Sequence, residues 1–175
     1  MNQTKENILI DTYEKENIVQ EIKELNKTGY IRFTSFENAR SMQDDIEEIF
    51  DIKLHITLYQ NKGLLKDFIP VPQLAPSKEL FNKTMYKWKK LKFTNEERNI
   101  IKNGKTGTWV DLYEPAFIEE MNTRDDFKRN YNRIKEHLKN GKKIIAVCYC
   151  EDENKCHRKI ISNSLKAEGF DSECF

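Results

Sequence analysis

The chain has 175 residues, enough for one well-formed core and short for two, with 30 basic against 29 acidic side chains. That balance supplies no global field to draw in nucleic acid or a membrane surface, and no apolar run approaches the length of a membrane span. Four cysteines are too few for a disulfide framework, and residues 1–15 are too polar for a secretory leader, so the expectation is a cytoplasmic protein with reduced thiols.

One α/β domain is expected over residues 1–175, with 1–12 as a loose N-terminal extension. Residues 14–27 carry Ile18, Val19, Ile22 and Leu25 on one stripe, which predicts an amphipathic helix ending near Gly29. Tyr30-Ile31-Arg32-Phe33 reads as a short strand running into a polar loop over residues 34–40. That loop is rich in capping side chains and carries Asn38 and Arg40, both suited to an anion. Ile52, Leu54, Ile56 and Leu58 alternate with polar residues, predicting a strand over 52–59 with one wet face, towards a sheet edge, and a rim position for His55.

Pro70, Pro72 and Pro76 hold residues 68–76 extended, as a loop able to wall a pocket, before a helix begins near Ser77. Residues 83–92 interleave lysines with Tyr86 and Trp88. A lysine and aromatic mixture can bind a nucleic-acid backbone, but it is read here as a solvated helix face with its aromatics buried. Further helices are predicted over 94–102 and 124–139, the second with Phe127, Tyr131, Ile134 and Leu138 at helical spacing and His137 off that stripe. Residues 103–108 contain the glycines and lysine of a phosphate loop without its spacing, and read as a turn.

After Gly141, Lys142 and Lys143, the unbroken apolar run Ile144-Ile145-Ala146-Val147 predicts a strand buried on both faces. A helix is expected over 158–168, stopping at Gly169. Between them lies Cys148-Tyr149-Cys150-Glu151-Asp152-Glu153-Asn154-Lys155-Cys156-His157-Arg158, three of the four cysteines on a strand-loop-helix turn. Open α/β sheets bind ligands beyond the carboxyl ends of their strands, and a helix N-terminus offers backbone N–H groups to an anion. If the strand at 30–33 runs parallel to the one ending at Cys148, both polar loops open at the same sheet edge.

Three chemistries suit this turn. Cys148, Cys150, Cys156 and His157 are four soft ligands of the kind zinc takes, although C-x-C-x5-C-H is not a finger or ribbon spacing. Cys156, at a helix start beside Lys155, Arg158 and Lys159, has the surroundings of a reactive thiolate with a lowered pKa, and His157 could move its proton. Alternatively the cysteines pack as small apolar side chains while His157 and Arg158 hydrogen-bond the turn. Cys174 is read as incidental.

On these residues the chain resembles the family catalogued as domain of unknown function 488. Its members carry a hydrophobic strand ending in a cysteine, an acidic loop, and Cys-His-Arg opening a helix. Thr34, Ser35, Phe36, Asn38 and Arg40 after the early strand, and Leu74-Ala75-Pro76 before a helix, fit the same pattern over about residues 30–170. The doubled Cys148-Tyr149-Cys150 departs from the commoner single-cysteine form and is similar to a related group with Cys-Trp-Cys before Cys-His. The resemblance implies a compact α/β domain whose site joins the 34–40 loop to the Cys156-His157-Arg158 turn, and it names no reaction.

The expected fold is therefore a single compact α/β domain, a mostly parallel sheet flanked by helices in the Rossmann-like manner. The expected function is an enzyme acting on an anionic or phosphate-bearing substrate such as a nucleotide or nucleic-acid component. Thr34, Ser35, Asn38, Arg40 and Arg158 would bind the anion, Cys156 would serve as nucleophile or polariser, and His157 would move protons. No cofactor is needed in this reading. The alternative is a non-catalytic module that binds a ligand or is stabilised by zinc on Cys148, Cys150, Cys156 and His157.

Overall fold

In the computed structural model, residues 28–59, 65, 67–103 and 109–175 are described; the extension over 1–12, the helix over 14–27 and the turn at 104–108 lie outside them. Five strands, β1 (Tyr30–Ser35), β2 (Ile52–His55), β3 (Ile69–Pro70), β4 (Ile144–Cys148) and β5 (Asp171–Cys174), form one sheet of order β3-β2-β4-β1-β5. Every pairing is parallel. Every residue of β4 is buried, as its apolar run requires, and the strand takes the centre of the sheet.

Among the described residues seven α-helices flank the sheet: α1 (Phe36–Ser41), α2 (Gln43–Ile49), α3 (Lys78–Asn82), α4 (Asn95–Asn103), α5 (Glu114–Thr123), α6 (Asp125–Lys139) and α7 (His157–Ala167). Side chains alternate across a strand, so Ile145 and Val147 pack with Phe36, Ala39 and Ile46 from α1 and α2, while Ile144, Ala146 and Cys148 join the larger core under α5, α6 and α7. The chain leaves β1 towards one face and leaves β4 towards the other. These adjacent strands end side by side, with Ser35 opposite Cys148. That is a topological switch point, where open α/β sheets bind ligands.

The helix over 124–139 appears as Asp125–Lys139 and buries the four residues its spacing marked. The C-terminal helix stops as expected: Gly169 adopts φ 89°, and the Phe170 N–H donates to the Leu165 carbonyl at 3.1 Å, closing the end in a Schellman turn. Residues 36–41 are helical instead of looped, because Ser35, extended, accepts the Asn38 N–H on its hydroxyl at 3.1 Å and so caps a turn whose Phe36 and Ala39 are buried. The strand expected over 52–59 is regular only to His55 and lies between β3 and β4, away from the edge. His55 is therefore buried instead of rim-exposed, as β3 and the α1 face cover what alternation presented as wet. In the basic run Trp88 is buried but Tyr86 is 62% exposed, so only one of its aromatics packs inward. Nothing in the polar Asp171-Ser172-Glu173-Cys174 marks it as a strand; it forms because β1 offers an unpaired edge and Arg32 meets Asp171 at 2.7 Å.

Two predictions follow from the framework. Gly29 packs against the turn after α6, where an added Cβ would lie 2.1 Å from the Lys142 carbonyl oxygen. Gly29→Ala should cost about 3 kcal/mol by forcing backbone apart, measured by urea unfolding. Glu97 begins α4 in a capping box, its carboxylate accepting the Thr94 N–H at 2.9 Å and pairing with Lys83 at 2.9 Å. Burial works to raise its pKa, but the bonds from Lys83 and Thr94 outweigh it, and it falls from 4.5 to about 2. Its contribution is thus complete above pH 4.5 and is lost as the pH falls towards about 2, so Glu97→Gln should flatten the acid limb of the stability curve over that window.

Candidate functional site

Residues 148–158 make the switch point by a sequence of local constraints. Cys148 ends β4 with its side chain in the larger core, and the Asp152 carboxylate accepts the Asn154 N–H at 3.0 Å to start a single 3₁₀ turn over Glu153–Lys155. Cys156 then sits in extended backbone as the residue before α7, which carries its own side chain inward and turns His157 and Arg158 back under the loop. Arg158 is 1% exposed and donates to the Cys150 and Glu151 carbonyls, tying the loop to the helix start.

This folding brings three thiols together. The sulfurs of Cys148, Cys150 and Cys156 all lie within 4.8 Å of one another, with Cys148 and Cys150 3.8 Å apart. His157 Nδ1 faces two of them, 3.9 Å from the Cys148 Sγ and 3.8 Å from the Cys156 Sγ. Its other nitrogen, Nε2, donates to the Ile56 carbonyl at 2.8 Å, which leaves a lone pair on Nδ1 pointed at the thiols. Tetrahedral zinc with Zn–S of about 2.3 Å sets its sulfurs about 3.8 Å apart and a histidine nitrogen about 3.6 Å from each. The three thiols fit the sulfur set of a zinc-like ion, while His157, oriented by a backbone carbonyl, approaches only two of them and stands outside that group.

The electrostatics of the cluster differ from the expectation for Cys156. Hydrogen bonds from the Cys150 and Cys156 thiols, with the Arg158 charge beyond them, hold Cys148 well below the ordinary thiol value. Fully buried beside the Cys148 and Cys150 sulfurs, Cys156 is pushed up, so it is not the low-pKa thiolate that its neighbouring lysines suggested. Those lysines point to solvent, whereas the thiol points into the core. Cys150 is also raised, by its bond to Cys148, and burial lowers His157.

Above the thiols opens a cavity of about 500 Å³ with Cys148, Cys150 and His157 in its wall. The remaining lining comes from parts of the chain the site prediction did not include, among them Thr57, Tyr59, Phe81, Lys89, Trp109 and Tyr113. Pro76, from the proline-rich loop expected to wall a pocket, lies there too. Trp109 stacks on Tyr113 at 3.8 Å and 20°. Burial, with the thiol cluster beyond it, pushes the Tyr113 hydroxyl well up, so it stays protonated as a donor. Besides the proline-rich loop, the sequence signals for this wall were the i, i+4 pair Trp109 and Tyr113 and the position of Tyr59 at the end of the expected strand.

The residues expected to bind an anion are dispersed. Ser35 and Arg40 line a second, shallower concavity of about 320 Å³ with Phe36, Glu37, Glu151 and Tyr149. Tyr149 belongs to both concavities and stacks on Phe36 at 4.9 Å, with His55 edge-on to both rings. Thr34 is fully buried with its hydroxyl unpartnered, Asn38 is exposed, and Arg158 reaches neither concavity because its guanidinium is held by carbonyls.

A doubly wound parallel sheet with a thiol cluster at its switch point places the protein among α/β domains that build their sites at strand carboxyl ends. The chain matches the family model described as DUF488-N3a, the active DUF488-N3 subclade, over residues 31–169, and it belongs to that family. Comparison with curated proteins and with solved structures gave no match.

Removing the tie at Arg158 tests how the loop is held. Arg158→Met should destabilise the fold by about 3 kcal/mol through the lost charged hydrogen bonds. In the metal-free protein it should also speed modification of Cys150 by iodoacetamide relative to Cys156, as read by peptide mass spectrometry.

Proposed function

We propose that this protein is an enzyme whose reaction centre is a soft divalent metal ion, zinc by its donor chemistry, held by Cys148, Cys150 and Cys156 at the base of the aromatic cavity. Its substrate is anionic or phosphate-bearing, such as a nucleotide or nucleic-acid component. The observation that carries the reading is the convergence of three thiols on one point at the switch of the sheet, in the wall of a cavity large enough for a small molecule. Thiols packed only as apolar side chains have no reason to converge beside a histidine lone pair.

When bound, such an ion would supply Lewis acidity to a carbonyl or phosphoryl oxygen or an amidine nitrogen of the substrate. The chain's own residues do the rest. The Ile56 carbonyl fixes the His157 ring so that Nδ1 faces the thiols. Arg158 holds the loop carbonyls of Cys150 and Glu151, and with them the position of the Cys150 thiol. Protonated Tyr113 offers a hydrogen bond to a group that gains negative charge, and Lys89 and Lys155 at the cavity rim attract the anion.

The placement of His157 Nδ1 beside two thiols also favours a second reading, in which four protein ligands close the site and the ion stabilises a binding module. Cobalt substitution separates the two. Protein purified without a tag should carry one equivalent of zinc by elemental analysis, and Cys150→Ser should lose most of it. If the site works on substrate, the visible bands of the Co²⁺ form should shift when a small anion such as cyanide is added. Bands that ignore added ligands, together with a fall in Tm on chelation, would favour the closed module, and a metal-free protein with full thiol reactivity would overturn both.

A further inference from the structure

The cavity over the thiols separates its chemistry by depth. Rings make its walls: Trp109 lies flat on Tyr113, and Tyr59 meets Phe81 edge to face at 5.6 Å. Lys89 and Lys155 are its charged lining residues among those described, apart from the thiols and His157, and both are exposed, so positive charge sits at the mouth and apolar surface lies within. Among the described residues, the Lys155 ammonium pairs with Asp152 in a solvent-exposed contact, at 3.5 Å. Thr57, whose hydroxyl donates to the Tyr59 carbonyl at 2.9 Å, and Thr84 are polar groups along the wall.

Inorganic phosphate, a sugar phosphate or a small carboxylate would satisfy the lysines and leave the aromatic walls wet. A hydrocarbon chain would satisfy the walls and have no use for cations at the rim or thiols at the base. A planar heteroaromatic ring carrying a phosphate uses both ends: every nucleobase has a π-face for stacking on aromatic side chains, and its phosphate suits a lysine rim. The volume of about 500 Å³ suits one such unit. Lys87, Lys90 and Lys92 continue the positive charge along the segment that contributes Lys89, beside the exposed ring of Tyr86.

We infer that the cavity takes the base of a nucleoside phosphate, ring against the aromatic walls and phosphate at Lys89 and Lys155. The inference rests on the reading of this site as the reaction centre for an anionic substrate, and specifies which end of that substrate faces the thiols: the base. The phosphate stays at the mouth. A free nucleotide and one nucleotide of a single strand present the same chemistry to this cavity.

Titration calorimetry on the protein as purified, with its zinc content measured on the same sample, tests the inference. AMP, GMP, CMP and UMP, ribose 5-phosphate, inorganic phosphate and a single-stranded octanucleotide are the probes. Base-bearing probes should bind about tenfold or more tighter than ribose 5-phosphate, as stacking on one ring predicts. Trp109→Ala should remove that difference and leave phosphate binding unchanged. Tyr59→Ala, at a half-exposed ring, serves as the second variant if Trp109→Ala does not fold. Lys89→Gln with Lys155→Gln should weaken nucleotides and flatten their salt dependence. Binding of the octanucleotide alone would assign the base to a strand, and binding of mononucleotides would assign it to free nucleotides; both support the inference. Ribose 5-phosphate binding as well as AMP, or no base-bearing probe binding at all, would overturn it while stoichiometric zinc left the metal centre standing. Base-selective binding to a protein that holds no zinc would do the opposite.

Discussion

The burial of β4 on both faces governs this molecule. A strand with no wet side must lie inside the sheet, and parallel neighbours on either side then fix where its last residue falls. Here that residue is Cys148, level with Ser35 of β1 and beside the chain that leaves β2. The register delivers three chain segments to one point, and the opposite departures of β1 and β4 open a crevice there that no side chain of the sheet fills.

A group of three neighbouring thiols half inside a core is electrostatically unsettled. A negative charge is favoured most at Cys148, beside the Cys150 and Cys156 thiols and with the Arg158 charge behind it. A second would face the first across less than 5 Å with little water between. A bound divalent cation removes that conflict, since each ionised sulfur then meets positive charge directly. The histidine held by the Ile56 carbonyl turns its Nδ1 lone pair to the Cys148 and Cys156 thiols, where it can accept an S–H proton or stand beside a bound cation.

Tyr149 divides the crevice. Stacked on Phe36 and edge-on to His55, it is held in the middle of the switch point, with the thiols and aromatic walls to one side and Arg40 to the other. Arg40 is separated from the thiols because Ser35 caps a helix at once, and that helix turns its polar face away over the α1 side of the sheet. The larger concavity is consequently apolar with a cationic rim, and the smaller is polar with acids beside its one arginine. They suit different parts of a ligand, or different ligands.

The sequence by itself determined the central strand, the amphipathic helix α6 and the turn that carries the cysteines, because each is set by a pattern confined to one segment: an unbroken apolar run, a helical stripe, a cluster of soft ligands between strand and helix. It also carried the family. Tertiary structure alone decided the burial of His55, the edge strand β5 and the walls of the cavity. His55 alternates as if exposed and is covered by a helix and a strand that its own neighbours do not encode. Asp171 to Cys174 has no strand composition and pairs because β1 has an unsatisfied edge. Apart from Tyr149 on the cysteine turn, the cavity's rings come from residues 59, 81, 109 and 113, far apart along the chain except for the last pair and brought together by the packing of separate segments. The Cys156 thiol shows the same division: its neighbours in sequence are lysines that would lower its pKa, its neighbours in space are thiols that raise it, and a Coulomb interaction follows distance through the protein, not separation along the chain.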